Sequence, residues 1–218
     1  MRLDKLLVIK GYFSSRSKAK EAIKRGFVKV NGQIITKPSA DVDLSAEIEI
    51  LAEEKPRGYW KLKELDDSWS ILKEGDVVLD LGSSAGGFLL YASEKVGEKG
   101  RVYGIEVSRE FEADLRRIES ERSNVKVFID DAFRFDPSKL EPLDVILSDL
   151  TLDPISAFKA TSRFIPLLKP GGMILFVMKT GLEFEEPDFG KLEIVNVKDS
   201  EDRQERYILL RKPTRLLR

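Results

Sequence analysis

The sequence predicts an α/β chain: an open, mostly parallel, seven-stranded sheet with helices on both faces, preceded by a small α+β module. Three observations carry this. From about residue 59 onward, apolar strand-like runs alternate with helical patterns, the order that builds a parallel sheet. The N-terminal segment carries helical stripes and a hairpin signal of its own. Between the two lies a polar stretch, Ala-Glu-Glu-Lys-Pro-Arg-Gly at 52–58, broken by Pro56 and Gly58. A length of 218 residues suits one medium domain plus a small one. The expected division is a domain over 1–51, a linker over 52–58 and a second domain over 59–218.

In the N-terminal module, Leu3, Leu6 and Leu7 recur at helical spacing, and Gly11 can end that helix in the left-handed conformation. Ser14-Ser15 offers an N-cap for a second helix, whose stripe is Ala19, Ala22 and Ile23 and whose stop is Gly26. Val28 and Val30 alternate as in a strand. Asn31-Gly32 is a hairpin-turn signal before Ile34 and Ile35, and Ile48 with Ile50 reads as a further strand.

In the second domain, Val77–Gly82 reads as a buried strand, followed by a Gly/Ser-rich turn, Ser83-Ser84-Ala85-Gly86-Gly87, and an apolar helix through Phe88, Leu89 and Ala92. Then come a strand at Val102–Val107, a helix over 109–120, strands at Val125–Ile129 and Asp144–Leu147, and a helix over 154–168. Pro170-Gly171-Gly172 is expected to turn the chain into the strand Met173–Met178. The last two strands fit Leu192–Val197 and Arg206–Leu210, the latter at an edge or antiparallel. Ligands on such sheets lie at the carboxyl ends of the strands. The informative positions are therefore Asp80, Gly82, Glu106, Asp130-Asp131, Asp149 and Lys179.

Composition narrows the chemistry. With no cysteine and no histidine, disulfides, Ser-His and Cys-His pairs are excluded, and the usual ligands of a transition metal are missing, so no metal is expected. Acid–base work falls to Lys, Asp, Glu or Tyr. No apolar run approaches the roughly 18 residues that span a bilayer, and the opening Met1-Arg2-Leu3-Asp4 lacks a signal-peptide pattern; a cytoplasmic protein is expected. Few Asn and Gln with many Lys and Glu suggest a thermophilic source.

Net charge is −1, but residues 1–37 hold ten basic side chains against two acidic ones, Asp4 and Glu21. Arg16, Lys18, Lys20, Lys24 and Arg25 sit on or beside the second helix, away from its apolar stripe. Charge runs usually mark a solvated face, but an imbalance this large reads as a footprint for a polyanion. The string Arg2-Leu3-Asp4, Leu7, Gly11, Ser15-Arg16, Ala19, Ile23, Gly26, Val28–Gly32 and Lys37-Pro38 resembles the RNA-binding domain named after ribosomal protein S-four. The resemblance implies recognition of folded RNA by phosphate contacts and shape, with Arg2, Arg16, Lys18, Lys20, Arg25 and Lys29 as the contacts.

The turn Asp80-x-Gly82-x-x-x-Gly86-Gly87 lacks the G-x-G-x-x-G spacing of dinucleotide folds. It resembles the first motif of Rossmann-like methyltransferases. That resemblance implies S-adenosylmethionine as cofactor, held by Asp80, Gly82, Ser83, Ser84, Gly86, Gly87 and Phe88, with Glu106 on the ribose hydroxyls, Asp131 on the adenine amino group, and Asp149 beside them. Glu106 alone would serve NAD equally.

Lys61-Leu62, the glycine turn, Ser148-Asp149, Lys179 and Glu205-x-Tyr207 together resemble the FtsJ-type RNA ribose methyltransferases. The whole layout is similar to that of the haemolysin A-type (TlyA-like) rRNA 2′-O-methyltransferases. The resemblance implies a tetrad of Lys61, Asp149, Lys179 and Glu205, with Lys179 as base and ribosomal RNA or a ribosomal subunit as substrate. Desolvation and nearby Lys61 would lower the pKa of Lys179, while Asp149 and Glu205 would raise it. The turn departs from the usual Ala-Pro-Gly-Gly, and Leu150-Thr151 replaces an apolar-Pro pair. Alternatives remain at this point: a base methyltransferase, though not by a cysteine adduct, a non-catalytic RNA-binding assembly factor that keeps the cofactor fold, or an NAD enzyme.

Overall fold

The computed structural model describes residues 1–51, 55–181, 185–201 and 203–214. The chain forms two compact units, Met1–Glu54 and Lys55–Arg218.

In the first unit, α1 (Leu3–Ile9) and α2 (Arg16–Lys24) pack on three short strands, β1 (Val28–Val30), β2 (Gln33–Ile34) and β3 (Ile48–Ile50), in the order β2-β1-β3. Ser15 caps α2 by accepting from the backbone N–H of Lys18 at 3.3 Å. Asn31 and Gly32 both take positive φ (48° and 78°), the two-residue turn whose twist matches a hairpin. Asn31 Oδ1 also accepts from Glu47 N at 2.9 Å, so one residue ties β1 to the chain entering β3. Leu3, Leu7, Ala19, Ile23 and Val28 meet in a fully buried core.

The second unit starts with α3 (Arg57–Trp69). Arg57 and Gly58, expected in the linker, form its first turn, while 52–54 lie outside the described residues. The sheet follows: β4 (Val77–Leu81), α4 (Gly87–Val96), β5 (Arg101–Glu106), α5 (Glu112–Glu121), β6 (Val125–Ile129), β7 (Leu143–Ser148), α6 (Pro154–Ser162), β8 (Leu168–Lys179), β9 (Glu193–Asp199) and β10 (Glu205–Arg211). A 3-10 turn at Arg109–Phe111 precedes α5, which starts later than the expected 109. Pro170-Gly171-Gly172 lies inside β8 rather than before it, at an irregularity in the β7/β8 pairing.

The strand order is β6-β5-β4-β7-β8-β10-β9, parallel from β6 to β8, with β10 antiparallel to both of its neighbours. β10 is therefore internal and β9 forms the edge. Alternate residues feed the two apolar layers, as strand period requires: Val78, Leu175 and Val177 on one face, Leu79, Ile174 and Phe176 on the other. The strand order reverses between β4 and β7, which opens a crevice at their carboxyl ends. Among the described residues no helix is long and apolar enough to cross a membrane.

Candidate functional site

The four tetrad residues come from four different elements and meet in one closed ring. Asp149 follows β7, and its backbone N–H still pairs with Leu81 O at 3.1 Å, which holds it beside Gly82. Lys179 and Glu205 lie directly opposite each other in the β8/β10 register, where side chains share a face. Lys61 arrives from α3, next to the buried Leu62. Lys61 Nζ donates to Asp149 Oδ2 at 2.5 Å and to Glu205 Oε2 at 3.1 Å. Lys179 Nζ donates to Asp149 Oδ1 and Glu205 Oε1, both at 2.7 Å. Two ammonium groups thus alternate with two carboxylates. The side chain of Lys61 is 8 % exposed, Glu205 11 %, Asp149 19 % and Lys179 28 %, so Lys179 is the member most open to solvent.

The balance left open by the sequence is resolved upward. Burial pulls the Lys179 pKa down, but Asp149 and then Glu205 outweigh it, and the net shift is a rise. Lys179 is therefore an ammonium in the ligand-free protein. Burial pushes the Glu205 carboxyl up, yet Lys179 and Lys61 together bring it to about 2.

Two further residues support the ring: Tyr207, already part of the Glu205-x-Tyr207 motif, and Asp66, which was not singled out from sequence. Tyr207 OH donates to Glu205 Oε2 at 3.1 Å. Asp66 is buried in α3, accepts from Leu72 N and Tyr91 OH, both at 2.8 Å, and so docks the helix that carries Lys61. The signal was present: Asp66 follows Leu65 on the inward face, a charge where the stripe calls for an apolar residue.

The glycine turn lies at the reversal of strand order. Gly82 (φ +80°) passes so close to the chain after β7 that a Cβ would meet Asp149 O at 3.0 Å. Gly86 (φ +79°) is the left-handed N-cap of α4. Ser83 is buried, and its hydroxyl donates to Asp80 O at 3.2 Å. The Asp80 carboxylate is fully buried, and among the described residues neither of its oxygens has a hydrogen-bond partner. Burial, reinforced by Asp149 and Glu106, pushes its pKa up to about 8. An orphaned buried carboxylate at a strand end is what a cationic ligand group would satisfy, and the ammonium of an amino-acid moiety fits it. Glu106 accepts from Ser84 N at 2.8 Å and Ser108 N at 2.7 Å, one on each oxygen, which fixes its plane and leaves each oxygen a second lone pair. Asp131 Oδ1 accepts from Phe133 N at 2.9 Å.

Two of the expected cofactor contacts also have a packing role. A Cβ on Gly87 would lie 2.6 Å from Tyr59 N and 2.8 Å from Gly58 Cα, so this glycine admits the backbone of α3. Phe88 is buried in the core, with its ring 5.7 Å from Lys61 Nζ.

Asp80→Asn separates stability from binding. An acid whose folded pKa lies above its unfolded value makes the folded state bind more protons, so stability falls as pH rises between about 4 and 8. The ligand-free Asp80→Asn protein is expected to melt higher than wild type at pH 8 in a thermal scan. Its affinity for S-adenosylmethionine, read by calorimetry, should drop roughly 10- to 100-fold with the loss of a charged hydrogen bond.

In the first unit the basic residues have more acidic company than their sequence count implied. Asp4 is buried, with Arg2 Nε at 3.0 Å, Arg16 Nη2 at 2.8 Å and Lys20 Nζ at 4.0 Å. Arg2 above all, then Arg16, holds the Asp4 carboxyl at about 2 against its burial. Arg25 pairs with Glu21 at 3.0 Å and Lys29 with Glu49 at 3.2 Å; Lys18 is exposed on α2. Arg2, Arg16 and Lys20 each remain about half exposed, so one acid gathers three cations into a patch of net positive charge.

Comparison with known proteins agrees with both units. The family model described as FtsJ-like methyltransferase matches residues 55–202, and the S4 domain model matches residues 1–48. The chain is 32 % identical over 146 residues to ribosomal RNA large subunit methyltransferase E of Desulfatibacillum aliphaticivorans, covering 59 % of this chain and 67 % of that protein. Aeropyrum pernix fibrillarin, solved with natively bound S-adenosylmethionine, superposes with a TM-score of 0.57 at 26 % identity, over 76 % of this chain and 78 % of that one. A Streptococcus thermophilus chain described as a hemolysin shares the fold at a TM-score of 0.59 and 18 % identity, covering 98 % of this chain and 88 % of its own.

Proposed function

This chain belongs to the FtsJ-like methyltransferase family, and we propose that it transfers a methyl group from S-adenosylmethionine to a ribose 2′-hydroxyl of ribosomal RNA, with Lys179 as the base and the cytoplasm as its place of action. The closed ring of Lys61, Asp149, Lys179 and Glu205 carries the reading, because its most exposed member is a lysine at the carboxyl end of β8.

Bound in that crevice, the cofactor supplies an electrophilic methyl group on a sulfonium. Asp80 would take its ammonium, the turn at 82–86 its amino-acid backbone, Glu106 its ribose and Asp131 its adenine. A ribose hydroxyl is a poor nucleophile at neutral pH and must lose its proton as it attacks. With no histidine in the chain, Lys179 Nζ is the group placed to accept that proton once it has given up its own. Asp149 and Glu205 hold Lys179 in position from opposite sides, and Lys61 neutralises them and would orient the ribose or its phosphate. A cation brought beside Lys179, and desolvation by the covering RNA, both act to release its proton.

The Asp4-centred patch and Lys18 would meet the RNA backbone. Arg16→Ala combined with Lys20→Ala is expected to weaken RNA binding and to reduce the slope of log affinity against log salt by roughly 1.5, as two phosphate contacts should. Arg2 stays on Asp4, so the buried acid keeps a partner. An unchanged slope would place the RNA contact elsewhere.

The function is tested with methyl-labelled S-adenosylmethionine and ribosomal RNA or subunits, followed by alkaline digestion. Ribose methylation removes the hydroxyl that drives alkaline cleavage, so label should appear in alkali-stable dinucleotides. Label in mononucleotides would instead identify a base methyltransferase. Absence of label from both RNA and subunits would overturn the assignment of substrate.

A further inference from the structure

Arg163, the residue that ends α6, points its guanidinium into the turn after β6. Nη1 donates to Ala132 O at 2.5 Å and Nη2 to Phe135 O at 3.1 Å. The guanidinium also lies over the Phe164 ring at 5.9 Å. The turn it grips begins at Asp131, whose carbonyl accepts from Arg134 N and Phe135 N, both at 2.8 Å. Within that turn, among the described residues, the Asp131 carboxylate is oriented by one bond, Phe133 N to Oδ1 at 2.9 Å. Among those residues Oδ2 has just the Arg134 guanidinium at 3.9 Å, beyond hydrogen-bond length. One oxygen is therefore spent on the turn and the other is available to a donor.

We propose that Arg163 is a positioning residue for base selection in the cofactor: by pinning both ends of the turn it holds Asp131 Oδ2 where it accepts from the 6-amino group of adenine. The inference rests on the cofactor reading above. A guanidinium suits the task because its rigid fork of donors reaches two carbonyls at fixed spacing, whereas an ammonium is a point donor. Buried Ala132 and Phe135 anchor the turn in the core, Phe135 with its ring 4.9 Å from that of Phe128. Phe133 and Arg134 are exposed, so Arg163 is the side chain that fixes the two carbonyls between which the exposed part of the turn hangs. Arg163 is also the cap of the helix that begins just after Asp149, so the reacting end and the adenine end of the crevice are built on one helix.

The test compares binding of S-adenosylhomocysteine and S-inosylhomocysteine, in which the 6-amino group is replaced by a 6-oxo group, to the full chain by calorimetry. Wild type is expected to favour the adenine compound about 10-fold or more, the value of one hydrogen bond to a charged acceptor. In Arg163→Ala, affinity for S-adenosylhomocysteine should fall about 10-fold while that for the inosine compound holds, so the preference disappears. Arg163→Lys should retain part of it, and it replaces the alanine variant if that one does not fold. In turnover, KM for the cofactor should rise while kcat holds. Equal losses for both compounds, or an unchanged preference, would show a purely structural role and overturn the proposal. Asp131→Ala separates the two levels. If it leaves the preference intact, adenine does not sit on Asp131, and the cofactor reading at this end fails together with the proposal.

Discussion

Replacing Lys179 with alanine is expected to lower the rate of methyl transfer by about 10²–10⁴-fold, the usual worth of a positioned general base. Affinity for S-adenosylmethionine and for RNA should stay within about threefold of wild type, because Asp80, Glu106 and the basic patch of the first unit do not depend on Lys179. Lys179→Arg should be nearly as inactive. Its guanidinium can still pair with Asp149 and Glu205, but it does not deprotonate in proteins. Single-turnover transfer at saturating cofactor and RNA reads the chemical step directly. A large loss of cofactor binding in Lys179→Ala would mean that the lysine supports the crevice rather than the reaction.

Asp149→Asn is expected to cost both activity and stability. Asp149, like Glu205, bridges Lys61 and Lys179 with separate oxygens, and it makes the shorter bond to Lys61. Without its charge, two ammonium groups share only Glu205. Breaking one side of a buried charge network costs about 3–5 kcal/mol. With Asp149 partly exposed, a loss near the lower end, about 3 kcal/mol, is expected in urea unfolding. Asp149 is also the leading cause that raises Lys179 above its ordinary pKa. Its removal should therefore let Lys179 deprotonate at lower pH, and the residual activity of Asp149→Asn should reach its plateau at lower pH than wild type. A variant with wild-type stability would show that Glu205 alone suffices to compensate both lysines.

Much of this was legible in the sequence because it depends on local patterns. Val77–Leu81, the glycine turn and Phe88–Ala92 announce a strand, a tight turn and a helix by composition alone, and the strand order places their junction at the crevice. Asp149 and Lys179 could be picked out as strand exits because a parallel sheet brings those exits together, whereas Lys61 and Glu205 joined them only through the family resemblance. Contacts between distant segments were not legible. Gly87 reads as part of a ligand loop, yet the space beside it is filled by α3, some thirty residues earlier in the chain. The basic face of α2 reads as unpaired because its acid, Asp4, lies in α1. Arg163 carried no signal in the sequence, and only the fold shows its two carbonyl partners. The direction of the Lys179 shift depended on distances of 2.7 Å to two carboxylates, which no spacing along the chain encodes.

The most direct test of the central claim, that Lys179 is the base of a methyl transfer, is the pH dependence of single-turnover transfer, wild type beside Lys179→Ala, at saturating cofactor and RNA. Lys179 begins as an ammonium, and at saturation the profile reports its pKa in the complex, so the wild-type rate should climb about tenfold per pH unit below that pKa and level off above it. In Lys179→Ala that climb should vanish, leaving a low rate with a shallow profile. A wild-type rate independent of pH, or the same slope in both proteins, would contradict the account and assign the proton to another group.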